Sequence, residues 1–257
     1  MNQQKTSEYM DYEMAVTLQK TCFSDREKKP SAPTRISEVT PTAKRRIKRG
    51  HKKVKVATSE MLITYDGLRR GLHKTLKGRV KGPLKFTDDQ TKIIRQLVRY
   101  FTGDPNSELD PDKSIYLYGS YGTGKTTLLR SILSLLHDAD RRGYSNSYSC
   151  EMLDYKELIY KIKSKGDSSI ITNYDNVMID DLGYTEQSEI NIYGNSEDLV
   201  TSIIYNRHKK RRRLKTHITS NLSPEKLLKS HGEGTYSRLV EMCNIIFYQS
   251  ENLRLKK

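Results

Sequence analysis

Between two apolar runs, residues 117 to 129 read LYGSYGTGKTTLL, with three glycines, one lysine and three threonines at the centre. Without a Cβ, glycine lets consecutive backbone N–H groups curl inward around an anion. Gly119, Ser120, Tyr121, Gly122, Thr123, Gly124, Lys125 and Thr126 fit the pattern G-x-x-x-x-G-K-[ST], and Thr127 follows. The preceding "SIYLYG" reads as a strand, and Thr126 to Leu136 has helical spacing. That context makes the stretch a phosphate cradle, with the positive end of the helix directed at the same anion. Lys125 is placed to reach the β- and γ-phosphate oxygens of a nucleotide, and Thr126 to offer its hydroxyl to Mg2+.

A triphosphate site also needs a metal anchor and a group that orients water. "NVMIDD", a short apolar run ending in two carboxylates, supplies both. Asp180 is expected to hold Mg2+ through water and Asp181 to polarise the attacking water. Strand-like segments alternate with helical ones throughout this half of the chain. "NSYSCEML" precedes a helix from Tyr155 to Ser164. A Gly/Asn-containing loop follows "NVMIDDL", then a helix from Ser196 to about Arg212. "THITSNL" and "NIIFYQS" are strands separated by helices near Glu225 and Arg238. The pattern predicts an α/β fold with a mostly parallel, helix-covered sheet. One further strand and its helix lie between the cradle and the acid pair. That order points to the P-loop class in which another strand separates the two nucleotide-binding strands.

Charge is concentrated rather than spread. The formal net charge is +15; residues 44 to 55, "KRRIKRGHKKVK", hold eight Lys or Arg and residues 207 to 215, "RHKKRRRLK", hold seven, with no acid in either. The remaining chain is electrically neutral, since eight and seven account for the whole excess. Two such runs predict contact with a polyanion and release of its counterions; the alternative for the second is a solvated helix end. Cys22, Cys150 and Cys243 are far apart and odd in number, which argues against a disulfide framework and a Cys-rich zinc site. No stretch is apolar enough to span a membrane and the N-terminus is too polar for a signal peptide, so a cytoplasmic protein is expected.

Three regions follow from composition. Residues 1–57 combine a short amphipathic helix with a basic, Pro- and Ser-rich linker. Residues 58–85 form a helical connector with Met61, Leu62, Tyr65, Leu68, Leu72 and Leu76 at helical spacing. A new helix from Phe86 opens the third region, residues 86–257.

"GSYGTGKTTLLRSI", "NVMIDDLG", "THITSNLSPE" and "TYSRLVE" occur in the order found in AAA+ ATPases of the DnaC/DnaI helicase-loader and IstB transposition group, which residues 86–257 resemble. The resemblance implies a five-stranded parallel AAA+ sheet, ATP and Mg2+ as cofactors, and assembly into a homo-oligomer. It implies that Asn221 senses the γ-phosphate and that Arg238 acts as a finger on ATP held by a neighbouring subunit. Arg254 matches a late arginine of the family and is a candidate second sensor. An N-cap for the following helix is the alternative for Asn221, and a solvated helix position the alternative for Arg238. Asp181 stands where Glu is commoner, which implies slow hydrolysis. The chain ends soon after its last strand, so no full helical lid is expected.

The function expected from this reading is an ATP-dependent DNA-binding assembly factor that loads a replicative helicase onto DNA, single-stranded rather than duplex. The alternative is an IstB-like ATPase that binds duplex DNA and recruits a transposase. A small-molecule phosphotransferase is disfavoured by the charge runs and the missing lid.

Overall fold

A computed structural model of the chain describes residues 61–79, 83–183, 189–192 and 195–250. The expected N-terminal helix, the basic run 44–55 and Arg254 lie outside the described residues. Two helices come first, α1 (Tyr65–Arg79) and α2 (Asp88–Thr102). They are followed by β1 (Ser114–Tyr118), α3 (Lys125–Asp140), β2 (Glu151–Asp154), α4 (Tyr155–Lys165), a 3-10 turn at Ser168–Asn173 and β3 (Val177–Leu182). A hairpin of β4 (Glu189–Ile192) and β5 (Asn195–Asp198) leads to α5 (Leu199–His208), β6 (Thr216–Ser220), α6 (Pro224–Met242) and β7 (Cys243–Phe247).

Five strands form one parallel sheet in the order β2-β3-β6-β1-β7. Strand β6 therefore separates β1, which feeds the glycine loop, from β3, which carries the acid pair. This is the predicted α/β fold with its additional strand. Alternate residues of each strand feed opposite faces, as a period of two requires. Tyr116 and Tyr118 pack with α4, α5 and α6 residues, whereas Ile115 and Leu117 pack with α1, α2 and α3 residues. In β3, Val177 and Ile179 join the first cluster and Met178 the second.

Local sequence sets the helix ends. Thr87 caps α2 in a reciprocal box with Gln90, and Gly103 closes it with a left-handed φ of 69°. Asp154 caps α4, and Asp198 caps α5 by accepting from Val200 N and Thr201 N. The Asp198 cap starts α5 three residues later than its sequence suggests. Residues expected to form a loop there form the β4–β5 hairpin instead, whose short polar strands carry no alternating apolar signal. Strand β2 is likewise shorter than expected. The two helices expected around Glu225 and Arg238 are both present within α6, separated by a non-helical kink at Gly232 (φ 79°).

Two buried polar side chains hold the sheet to its surroundings. Arg207, 1% exposed, spends all five N–H donors within the chain. Nε donates to Thr216 Oγ1, Nη1 to Ile171 O and Tyr174 O, and Nη2 to Asp175 O and Lys215 O, at 2.6–3.1 Å. His217 accepts from Ile115 N at Nδ1 (3.2 Å), which leaves its proton on Nε2 to be donated to Tyr148 Oη at 2.8 Å. Burial, with Lys215 adding to it, depresses the His217 pKa from 6.5 to about 3.

Arg207→Met should destabilise the fold by about 3 kcal/mol or more, because several buried carbonyls lose their donor at once; urea unfolding monitored by circular dichroism would measure it. At His217 the unfolded chain binds a proton near pH 6.5 and the folded chain only near 3. Stability present above pH 6.5 is therefore lost as pH falls towards 3. His217→Gln should lower stability at neutral pH and flatten this acid limb in a series of thermal melts.

Candidate functional site

The glycine loop, the first turn of α3 and the carboxyl ends of β3 and β6 meet at one edge of the sheet. Gly119 allows the loop to leave β1 here: with φ at 151°, a Cβ on it would collide with the Tyr248 carbonyl oxygen beyond β7. Gly124 (φ 91°) stands at the N-cap of α3 with no side-chain cap, so the first N–H groups of the helix are left to an anion. Tyr121, midway through the loop, is 54% exposed.

Lys125 is buried beneath the loop. Its Nζ donates to Gly119 O and Ser120 O, each at 2.8 Å, and to Asn221 Oδ1 at 3.0 Å. Asn221 lies just past β6, so this contact ties the loop to the strand between β1 and β3. The helix-cap alternative for Asn221 is excluded, because Ser223 caps α6 by accepting from Lys226 N. Ser250 adds a second tie, its Oγ donating to Thr123 O at 3.1 Å.

Asp180 is also buried and occupied on both oxygens. Oδ1 accepts from Thr126 Oγ1 at 2.7 Å and from Thr219 Oγ1 at 2.6 Å, while Oδ2 lies 3.1 Å from Arg130 Nη2. The Thr126 hydroxyl and the Asp180 carboxylate form an all-oxygen pair beside the loop, the donor set a hard cation such as Mg2+ takes. These residues fit the expected metal.

Asp181 is the only non-glycine with positive φ among the described residues, at 56°. It sits where β3 gains a residue on β6: Ile179 pairs with Ile218 and Leu182 with Ser220. The bulge turns Asp181 out of the alternation that its neighbours follow. The Thr219 hydroxyl that donates to Asp180 accepts the Asp181 N–H at 3.0 Å. One side chain of β6 thus fixes both acids, in a backbone conformation that costs of order 1–3 kcal/mol and clusters at functional sites.

The sequence brings out Lys125, Thr126, Asp180, Asp181 and Asn221, and the structure places all five together. Arg238 stands apart on α6, where Nη1 donates to Gly234 O at 2.7 Å and the guanidinium lies 5.1 Å from the Tyr205 ring. Arg130 and the bridging role of Thr219 were missed. Arg130 is four residues after Thr126, hence on the same helical face, a spacing that could have revealed it.

The second basic run differs most from its expected form. Helix α5 ends at His208, and the run continues as turns. Besides Arg207, Lys210 donates to Thr172 O, Arg211 pairs with Glu241, and Lys215 donates to Pro111 O. Lys209 lies over the Tyr205 ring at 4.1 Å. Arg212 and Arg213 remain exposed. Much of this charge is internal structure.

Neither a family model nor a curated protein matches this sequence. The fold is similar to that of the crystal structure of the DnaC helicase loader, at 21% identity over 65% of this chain and 94% of that one, with a TM-score of 0.48. It is also similar to AMPPCP-bound DnaA from Aquifex aeolicus, at 18% identity over 67% of this chain and 51% of that one, TM-score 0.43. A replication initiator DnaA bound to AMPPCP and single-stranded DNA shares 17% identity over 66% of this chain and 49% of that one, TM-score 0.44. This chain spans about half the length of the two DnaA structures. No described helix is long and apolar enough to cross a membrane.

Thr219→Val keeps the side-chain shape and removes the hydroxyl shared by the two acids. Mg2+-dependent ATP turnover should fall roughly 10- to 100-fold in a phosphate-release assay, with only a modest change in melting temperature.

Proposed function

We propose that this chain is an ATP-dependent, DNA-binding assembly factor that places a replicative helicase on DNA, with ATP hydrolysis as its switch. The observation that carries the reading is the Lys125–Asn221 contact at 3.0 Å. It makes the phosphate loop and the end of β6 compete for one ammonium. A γ-phosphate in the loop attracts Lys125 more strongly than an amide oxygen does. Asn221 is then released, and its amide can turn from accepting through Oδ1 to donating through Nδ2. Two residues later Ser223 begins α6, the helix that carries Arg238. The state of the phosphate is thereby coupled to the candidate finger.

Within the site, Lys125 and the open N–H groups of α3 bind and orient phosphate, and Thr126 with Asp180 holds the metal shell. Mg2+, when bound, neutralises phosphate charge and fixes its geometry. Asp181 accepts a proton from the attacking water, its backbone held by Thr219. The shorter reach of Asp relative to Glu makes turnover slow. Arg238 has no contact with its own chain's cluster, which suits delivery to the nucleotide of a neighbouring protomer. DNA contact is supported by the net charge of +15. The helicase as partner rests on the resemblance of the four motifs to the loader group.

Lys125→Ala should abolish nucleotide binding, whereas Asp181→Asn should retain ATP without cleaving it; equilibrium binding and single-turnover hydrolysis separate the two. Arg238→Ala should bind ATP normally and lose hydrolysis. Mixed with Lys125→Ala it should regain part of the activity at interfaces that combine an intact finger with an intact loop. Wild-type turnover by Lys125→Ala would overturn the ATPase reading, and no recovery at any mixing ratio the intersubunit finger. Co-purification with the host replicative helicase, in ATP and without it, tests the partner; exclusive capture of a transposase would replace helicase loading with transposition.

A further inference from the structure

We infer that the exposed face of α1 is a docking surface for the phosphate backbone of DNA. This rests on the DNA-binding reading above and locates it on a segment whose sequence marks only a connector. Leu68, Leu72 and Leu76 bury one side of α1 against α2 and α3. Arg69, Arg70, His73, Lys74, Lys77 and Arg79 are exposed on the remainder of the helix. The acid among the helix residues is Asp66, which lies 3.5 Å from Arg69. Among the described residues no carboxylate pairs with Arg70, Lys74, Lys77 or Arg79.

Position and charge both favour nucleic acid as the occupant. Arg70, Lys74 and Lys77 repeat at four and three residues, which stacks them along one stripe about 10 Å long. Duplex DNA carries about six phosphates over that length of axis. Residues 207 to 215, the denser run, satisfy their own fold through Arg207, Lys210, Arg211 and Lys215. The stripe on α1 makes no such internal use of its charge, and a solvated face gains nothing from clustering like charges.

The stripe also has a direction relative to the nucleotide site. Ser145 N donates to Met61 O and Ile63 N to Asn146 Oδ1, so the start of α1 lies beside the segment that follows α3. Gly71 meets Leu135 within α3. Helix α1 therefore runs antiparallel to α3, and its basic C-terminal end points towards the end of α3 that begins with Lys125. DNA laid on the stripe would run alongside the helix that binds phosphate.

Anisotropy titrations of the full chain against a labelled single strand and the matching duplex, from low to high salt, test the surface. Arg70→Gln/Lys74→Gln/Lys77→Gln should weaken binding of at least one of them about tenfold or more at low salt. It should also make the salt slope shallower by about 2, since up to three phosphate contacts are lost. Arg70→Lys/Lys74→Arg/Lys77→Arg, which keeps the charge, should restore both. Melting temperature and binding of an ATP analogue should match the parent in both variants, which separates loss of contact from loss of fold. If the parent binds DNA and the neutralised variant has the same affinity and slope, the surface is wrong while the DNA reading stands. If the parent binds neither DNA, both are overturned. Binding of poly-L-glutamate in that case would assign the face to an acidic protein.

Discussion

Everything at the candidate site depends on β6 being hydrogen-bonded between β1 and β3. Parallel pairing on both sides fixes the heights of three strand ends relative to one another. The loop after β1, the acids at the end of β3, and the polar residues Thr219 to Asn221 then arrive at one level. Without the intervening strand, the loop leading to Lys125 and the strand carrying Asp180 would be direct neighbours with no third group between them. With it, a hydroxyl and an amide are inserted where the two halves of the site would otherwise meet directly. Strand β6 is fully buried, so its polar members must find partners: Thr216 and His217 find them in Arg207, Ile115 N and Tyr148, and Thr219 finds them in the site.

Much of this was legible in the chain. The glycine loop announces itself because its spacing, lysine and hydroxyl are local, as is the strand ending in Asp180 and Asp181. The alternation of strands and helices gave the sheet. Less legible were features that depend on partners distant in sequence. The left-handed backbone of Asp181 comes from a register shift against β6, which no window around residue 181 contains. Arg130 on Asp180 needs α3 and β3 to be neighbours. The β4–β5 hairpin has short strands of mixed polarity, so period-two alternation is weak there. Asp198, read as an interior helix residue, instead stops the hairpin and starts α5.

Charge was the poorest guide to location. A count of Lys and Arg treats every cation alike, whereas the fold sorts them by what their carbon stems and donors meet. Lys210 and Lys215 reach backbone carbonyls, Arg211 reaches Glu241, and Lys209 rests on Tyr205. The carbonyls they reach belong to the 3-10 turn after α4 and to the segment before β1. On α1 the cations are sparser, yet the opposite face is a leucine stripe, so the helix itself turns them outward. Helical geometry, not local density, decides which charges a partner can meet.

The five acceptors around Arg207 come from three places: the 3-10 turn and the residues after it, the approach to β6, and β6 itself. None of the carbonyls at Ile171, Tyr174 and Asp175 is engaged in a sheet ladder. Until α5 docks, water must serve them; once it docks, one guanidinium serves them all. The turn after α4 therefore acquires its native shape only when helix, strand and turn assemble together. Lysine, with three donors on a rounded head, would leave part of that set unserved. A side chain that looks like one more surface cation thus ties helix, strand and turn into one unit.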